Sequence, residues 1–271
     1  MPQRHVRTER SGERLTVTLD RPELHNALND AFIDELAETF GALGEDPSVR
    51  CVVLAGAGKS FCAGADLEWM RSLAEASVEE NRADAGRLVD LLEAIANAPV
   101  PVIARVHGSA LGGGMGLVGA CDLAVAAPEA QFGLTEVRLG LAPAMIFPYL
   151  ARRVQPHELL RAALTGERFD AERAQRMGLV NAVSTDLDGA VDGWCAAITQ
   201  GGPNALAAVK VLFGRVRELG TSEAASVTTE LIARLRCGEE GQEGMRAFLE
   251  RRKPRWVTEP AKGRSTDAGS A

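Results

Sequence analysis

Phe61-Cys62-Ala63-Gly64-Ala65-Asp66-Leu67 and Ala110-Leu111-Gly112-Gly113-Gly114-Met115-Gly116 are two glycine-bearing turns set in the same context. Each follows a strand-like run, Cys51-Val52-Val53-Leu54-Ala55 before the first and Pro101-Val102-Ile103-Ala104-Arg105-Val106 before the second. Each precedes a stretch of helical character. A strand that turns on glycine into a helix leaves the first backbone N–H groups of that helix without intrahelical acceptors, and the helix dipole makes them attractive to negative charge. Two such turns in one fold can aim two N–H groups at a single oxygen, the geometry of an oxyanion hole. Glu136 follows Gln131-Phe132-Gly133-Leu134-Thr135 and is the candidate acid/base. The run after it, Val137-Arg138-Leu139-Gly140-Leu141, is apolar enough to pack against a pocket, and partial burial there would raise the carboxyl pKa into the range useful for proton transfer.

Working outward, Arg14-Leu15-Thr16-Val17-Thr18-Leu19 alternates strictly and reads as a half-buried strand. Asn29 or Asp30 can cap a helix in which Ile33, Leu36, Ala37, Phe40 and Leu43 recur at helical spacing. A second helix carries Leu88, Leu91, Leu92 and Ile95 and stops before Pro99. A third strand begins at Asp122, and the order of strands and helices favours α/β layering. From Pro203 the character changes: residues 203–219, 222–237 and 239–252 read as helices broken at Gly220 and Gly238. The expected organisation is therefore a core over residues 1–200, a helical region over 201–256, and a small, polar, disordered tail over 257–271.

The bulk numbers exclude several classes. The chain has 271 residues, is 46% hydrophobic and only 4% aromatic, so its core must be built on Ala, Leu and Val. A net charge of −7 argues against a nucleic-acid binder but leaves room for a compact anionic ligand held by local charge. No apolar run approaches membrane-spanning length and the N-terminus has no apolar signal region. Cys51, Cys62, Cys121, Cys195 and Cys237 are odd in number and widely spaced, which points to a reduced, cytoplasmic setting and to neither a zinc site nor a disulfide scaffold. His5, His25, His107 and His157 lack metal-ligand spacing, so no metal is expected. Gly58-Lys59-Ser60 imitates the end of a phosphate-binding loop, but Val53 stands where that loop needs its first glycine. Gly114-Met115-Gly116-Leu117-Val118-Gly119 matches a dinucleotide fingerprint only formally: the preceding strand ends too early and the helix is too short. No G-x-S-x-G elbow is present. Arg251-Arg252-Lys253-Pro254-Arg255 reads as a solvated basic face, with phosphate contact as its functional alternative.

Taken together, the ordered set Arg21-Pro22-Glu23-Leu24-His25-Asn26-Ala27-Leu28, Gly58-Lys59-Ser60-Phe61-Cys62-Ala63-Gly64-Ala65-Asp66-Leu67, Gly108-Ser109-Ala110-Leu111-Gly112-Gly113-Gly114, Cys121-Asp122, Ala130-Gln131-Phe132-Gly133 and Thr165-Gly166 resembles the enoyl-CoA hydratase/isomerase (crotonase) superfamily. The resemblance runs from Leu15 to Arg255. It implies a spiral of ββα repeats followed by C-terminal helices that form a homotrimer or a homohexamer, and an acyl-CoA thioester as substrate with no separate cofactor. By position, the N–H groups of Ala65 and Gly113 would form the oxyanion hole and Glu136 would be the acid/base. Ala63, Asp66, Gly112 and Lys253 would serve substrate or CoA binding: the Ala63 carbonyl meeting the adenine, Asp66 capping the helix behind the first donor, Lys253 meeting a CoA phosphate in the same or a neighbouring subunit.

Two departures shape the expected activity. Hydratases resembling this chain carry two glutamates, and the first of those positions is Gly116 here. Ser109, Glu68 and Tyr149 are the alternative groups for positioning water. The second departure is Gly140-Leu141-Ala142-Pro143-Ala144-Met145-Ile146-Phe147-Pro148-Tyr149, which replaces a Pro-Gly-x-Gly-Gly run. With Trp69-Met70 it looks more like the methylglutaconyl-CoA hydratase-like branch, making Met70, Leu139, Met145 and Phe147 candidates for pocket lining or, equally, for core packing. The expected function is acyl-CoA hydration or dehydration through a thioester enolate. The alternatives are a Δ3,Δ2-enoyl-CoA isomerase using Glu136 alone, a non-catalytic acyl-CoA-binding subunit and, at the outside, a nicotinamide-dependent dehydrogenase.

Overall fold

The structure is a computed structural model that describes residues 4–257; the expected tail lies, from residue 258 on, outside the described residues. β1 (Val6–Ser11) and β2 (Arg14–Leu19) pair as an antiparallel hairpin. Asn29 caps α1 (Asp30–Gly41), its Oδ1 accepting the Phe32 N–H at 3.0 Å, and Phe32, Ile33, Leu36 and Phe40 form the buried face. β3 (Cys51–Gly56) leads through the first glycine turn into α2 (Leu67–Ala74) and α3 (Val78–Ala96), the latter opened by a Ser77–Glu80 capping box. β4 (Val102–Val106), β5 (Ser109–Leu111) and α4 (Gly113–Ala120) carry the second turn. β6 (Leu123–Ala126) and β7 (Gln131–Gly133) follow, then α5 (Phe147–Ala151), α6 (Pro156–Thr165), β8 (Arg168–Asp170), α7 (Ala171–Arg176), β9 (Ala182–Val183) and α8 (Leu187–Gln200). The helical C-terminal region consists of α9 (Pro203–Val216), α10 (Thr221–Cys237) and α11 (Glu239–Leu249).

The strands lie in two sheets. The larger has the order β1-β2-β3-β4-β6-β9, parallel from β2 onward; the smaller has the order β5-β7-β8. Single bridges from Leu28 to Ala65 and from Cys62 to Ala110 prolong the smaller sheet through the first glycine turn. The chain thus runs from a long strand to a short one to a helix and starts again: β3, Cys62, α2–α3; β4, β5, α4; β6, β7, α5–α6. This is the ββα spiral.

The long strands are buried on both faces, which is why they read as unbroken apolar runs. Val52, Leu54, Val102, Ala104, Val106, Ala124 and Ala126 point into the main core, whereas Cys51, Val53, Ile103 and Val125 alternate to the other face under Leu187, Val191 and Cys195 of α8. α9 and α10 bury none of their side chains in the single chain, and Val209, Val211 and Phe213 are each more than half exposed. α9 is tied to the core through Lys210, whose Nζ meets Asp122 Oδ2 at 2.7 Å and donates to Val100 O at 2.9 Å.

Candidate active site

At the first turn, the Leu28 N–H donates to Gly64 O at 2.7 Å and the Asp66 N–H donates to Leu28 O at 2.8 Å. In a parallel bridge of this kind the intervening residue faces the other way, so the Ala65 N–H points away from Leu28, and it has no acceptor among the described residues. The Ala63 N–H is used by His25 O at 3.0 Å, and Ala63 itself is half-buried. Asp66 caps α2, its Oδ1 accepting the N–H groups of Glu68 at 2.8 Å and Trp69 at 3.3 Å. Its Oδ2 accepts from Arg21 Nη2 at 3.0 Å, in a pair whose side chains are only 8% and 10% exposed. Burial alone would raise the Asp66 pKa; the two amides and the guanidinium outweigh it and hold the carboxyl below its ordinary value. Asp66 therefore fixes the start of α2 and with it the direction of the neighbouring Ala65 N–H.

The second turn depends on Gly112, whose φ of 49° and ψ of −118° are open to glycine and strained for any other residue. Its N–H donates to Gly133 O at 2.9 Å, and its carbonyl accepts the Gly116 N–H at 3.1 Å. α4 begins on the next residue, leaving the Gly113 N–H without an acceptor among the described residues. A Cβ on Gly112 would lie 3.0 Å from Glu136 Oε1 and 4.0 Å from Gly64 Cα, so both turns and the carboxylate meet at this glycine. A Cβ on Gly113 would lie 3.0 Å from Leu28 Cδ1. Leu28, which bridges to Ala65 by its backbone and touches Gly113 by its side chain, is the floor beneath both free donors.

Glu136 opens a 3-10 turn, Glu136–Leu139. Burial pushes its carboxyl pKa up, against a smaller lowering by its own backbone N–H, and Oε2 is buried without a hydrogen-bond partner. α4, β5, β7 and residues 140–150 carry no charged side chain, so nothing on these neighbours neutralises the carboxylate. It is a carboxyl that holds its proton to a pH above the ordinary glutamate range and has an oxygen free for a substrate or a water. Gly112→Ala forces a strained backbone and presses a methyl onto Glu136 Oε1. We expect kcat to fall by about 10²-fold, as for loss of one oxyanion donor, with the melting temperature read alongside to separate site damage from unfolding.

Gly116 lies one helical turn below Gly112 and cannot transfer a proton. A Cβ there would lie 2.8 Å from Ile146 Cβ, so Ile146 occupies the room that a side chain at position 116 would need. The other groups considered for positioning water lie as follows. Tyr149 is buried, with its hydroxyl donating to Val89 O at 3.4 Å; Glu68 is exposed on α2; Ser109 is half-buried on β5. Met70, Met145 and Phe147 are half-buried, the last two packed against the main core, and Leu139 is exposed. Lys253 is exposed in the segment after α11. Among the described residues no group of three or more His, Cys, Asp or Glu side chains could hold a metal ion, and no helix is long and apolar enough to cross a membrane.

Three residues of the site carry roles that the sequence did not reveal. Arg21 holds Asp66 across 45 positions, Leu28 supports both donors, and Ile146 fills the place beside Gly116. Arg21 and Leu28 do fall inside the Arg21–Leu28 stretch that carries part of the family resemblance, which is the available signal. Nothing in the sequence marks Ile146 as a neighbour of residue 116.

The ββα spiral followed by C-terminal helices is the crotonase fold that solved enoyl-CoA hydratases share. The family model described as enoyl-CoA hydratase/isomerase matches residues 9–259, and the chain belongs to that family. It is 34% identical to a putative enoyl-CoA hydratase of Thermus thermophilus, over 90% of this chain and 98% of that one. It is 35% identical to the mevalonyl-coenzyme A hydratase SIDH of Beauveria bassiana, over 94% of this chain and 92% of the relative. Among solved structures, an enoyl-CoA hydratase from Shewanella pealeana superposes with a TM-score of 0.91 at 37% identity, covering 93% of this chain and 96% of its own. AtuE of Pseudomonas aeruginosa superposes with a TM-score of 0.90 at 36% identity, covering 94% and 100%.

Proposed function

We infer that the protein is an acyl-CoA hydratase/dehydratase that works through a thioester enolate, with Glu136 as its sole acid/base. The observation that carries this reading is the junction at Gly112, where the carboxylate with one unpartnered oxygen lies against the turn that presents the free Gly113 amide and close to the turn that presents Ala65. In the hydration direction, the Glu136 carboxylate takes a proton from water as the water oxygen bonds to Cβ of an α,β-unsaturated acyl thioester. The π electrons move to the thioester oxygen, which accepts hydrogen bonds from the N–H groups of Ala65 and Gly113. The protonated Glu136 then returns its proton to Cα as the enolate collapses to the 3-hydroxyacyl thioester. Each amide donor contributes on the order of 3 kcal/mol to the charged transition state. The Ala63 carbonyl and Lys253 are proposed contacts to the coenzyme A moiety, which is part of the substrate, so the chemistry calls for no further cofactor.

A second reading is favoured by Gly116: one carboxylate over one enolate also suffices to move a proton between Cα and Cγ, which is double-bond isomerisation. Incubation with enoyl-CoA in deuterated water separates the two. A hydratase forms 3-hydroxyacyl-CoA; an isomerase places deuterium at Cα or Cγ with no hydroxylated product. The unpartnered apolar surfaces of α9 and α10 support a homotrimer or a homohexamer, expected to appear by light scattering at three or six chain masses. The five free thiols support a cytoplasmic setting in acyl-chain metabolism of the fatty-acid type.

A further inference from the structure

α4 lacks side chains at Gly116 and Gly119, three positions apart on one face, and Gly112, its N-cap, lies one turn before Gly116. The chain leaving β7 lies directly on these glycines. A Cβ at Gly112 would meet Glu136 Oε1 at 3.0 Å, one at Gly116 would meet Ile146 Cβ at 2.8 Å, and one at Gly119 would meet Leu150 Cδ2 at 2.9 Å. Glu136, Ile146 and Leu150 therefore seat on Gly112, Gly116 and Gly119, in the same order along the chain as these glycines follow one another. Ile146 and Leu150 are fully buried, whereas Glu136 sits at the open end of the row with one oxygen unpartnered. The seat at Gly116 is filled by a β-branched, rotamer-restricted side chain, which fixes a height more sharply than a flexible one.

We propose that Ile146 is a positioning residue for Glu136. Seated in the room that Gly116 leaves, it sets the height of residues 136–150 along α4, holds the carboxylate against Gly112, and makes this a site with room for a single carboxylate. The proposal rests on the reading of Glu136 as the acid/base. It explains why a side chain at position 116 and a bulky one at position 146 exclude each other.

The test is a double-mutant cycle of Gly116→Ala, Ile146→Ala and the pair, followed by kcat and KM on an enoyl-CoA, by melting temperature, and by carbon-13 NMR titration of the Glu136 carboxyl assigned with Glu136→Gln. Gly116→Ala is expected to lower kcat about 10²-fold with KM within about threefold, because a displacement near 1 Å at the reacting group is enough for that loss. Ile146→Ala is expected to remain folded with kcat about tenfold down, and with Glu136 titrating closer to an ordinary glutamate as water reaches it. The pair is expected to recover to within about threefold of Ile146→Ala, since the methyl then occupies vacated room. A pair no better than Gly116→Ala, or an Ile146→Ala with wild-type kcat and titration, overturns the proposal. If Gly116→Ala does not fold, rescue of fold and turnover by the second substitution supports the pairing, and failure of rescue contradicts it. A wild type that hydrates no enoyl-CoA removes the proposed reaction, whereas the carboxyl titration still reads the positioning without turnover.

Discussion

Glu136→Gln is expected to lower turnover by about 10³-fold while acyl-CoA binding stays within a few-fold of wild type, measured by steady-state kinetics and by calorimetric titration with a saturated acyl-CoA. The amide keeps the size and most of the polarity of the side chain but can neither take a proton from water nor return one to Cα. Groups that grip the thioester and the coenzyme A are untouched, so binding survives. Burial raises the Glu136 pKa, so the active carboxylate form is lost on the acid side at a pH above the ordinary glutamate range. The same shift has a stability consequence. A raised carboxyl favours the fold in its protonated form, fully below the ordinary glutamate value, and that contribution is lost as pH rises through the raised pKa. Once ionised, above that raised pKa, the wild type carries a half-buried charge that Gln does not. Glu136→Gln should therefore melt at or above the wild-type temperature at pH 7, with the difference disappearing below about pH 4. Equal inactivity of wild type and variant on a broad enoyl-CoA panel, with normal binding by both, would favour the non-catalytic reading.

The second large effect falls on stability. Arg21→Ala leaves the buried Asp66 carboxylate without its cation and also removes the bond from Arg21 Nη1 to Ala27 O at 2.6 Å. Breaking a buried pair on one side costs about 3–5 kcal/mol, because the remaining charge is left uncompensated. The loss should be visible in chemical denaturation at neutral pH. Asp66 is held below its ordinary pKa, so its contribution is present above the ordinary carboxylate range and lost as pH falls through the lowered value. The gap between wild type and Arg21→Ala should accordingly narrow below about pH 4. Asp66→Asn keeps a cap on α2 and is expected to cost less than Arg21→Ala; the reverse order would contradict the assignment of the charge pair as the larger contribution.

Much of this architecture was legible in the sequence, for identifiable reasons. The strand at 14–19 shows itself by strict alternation, and those at 51–55 and 101–106 by the apolar runs that two-faced burial leaves. The breaks at Gly220 and Gly238 correctly divided the C-terminal region into α9, α10 and α11. β1, β5, β8 and β9 were not seen. β1 shows one buried position in six, and β8 and β9 have three and two residues, too short for a period to register. At the site, the two glycine turns and Glu136 stood out, because the backbone conformations and the apolar flank are local properties. The reasons they work together are not local. The 3.0 Å approach at Gly112, the Arg21–Asp66 pair and the seating of Ile146 at Gly116 each join segments that only the folded spiral brings together.

The most direct measurement is a crystal structure of the protein with a bound saturated acyl-CoA, which occupies the site without reacting. The expected result is a thioester oxygen within about 3.2 Å of both the Ala65 and Gly113 amide nitrogens, with the Glu136 carboxylate facing Cα and Cβ. A thioester oxygen held elsewhere, or acyl carbons out of reach of Glu136, would contradict the account.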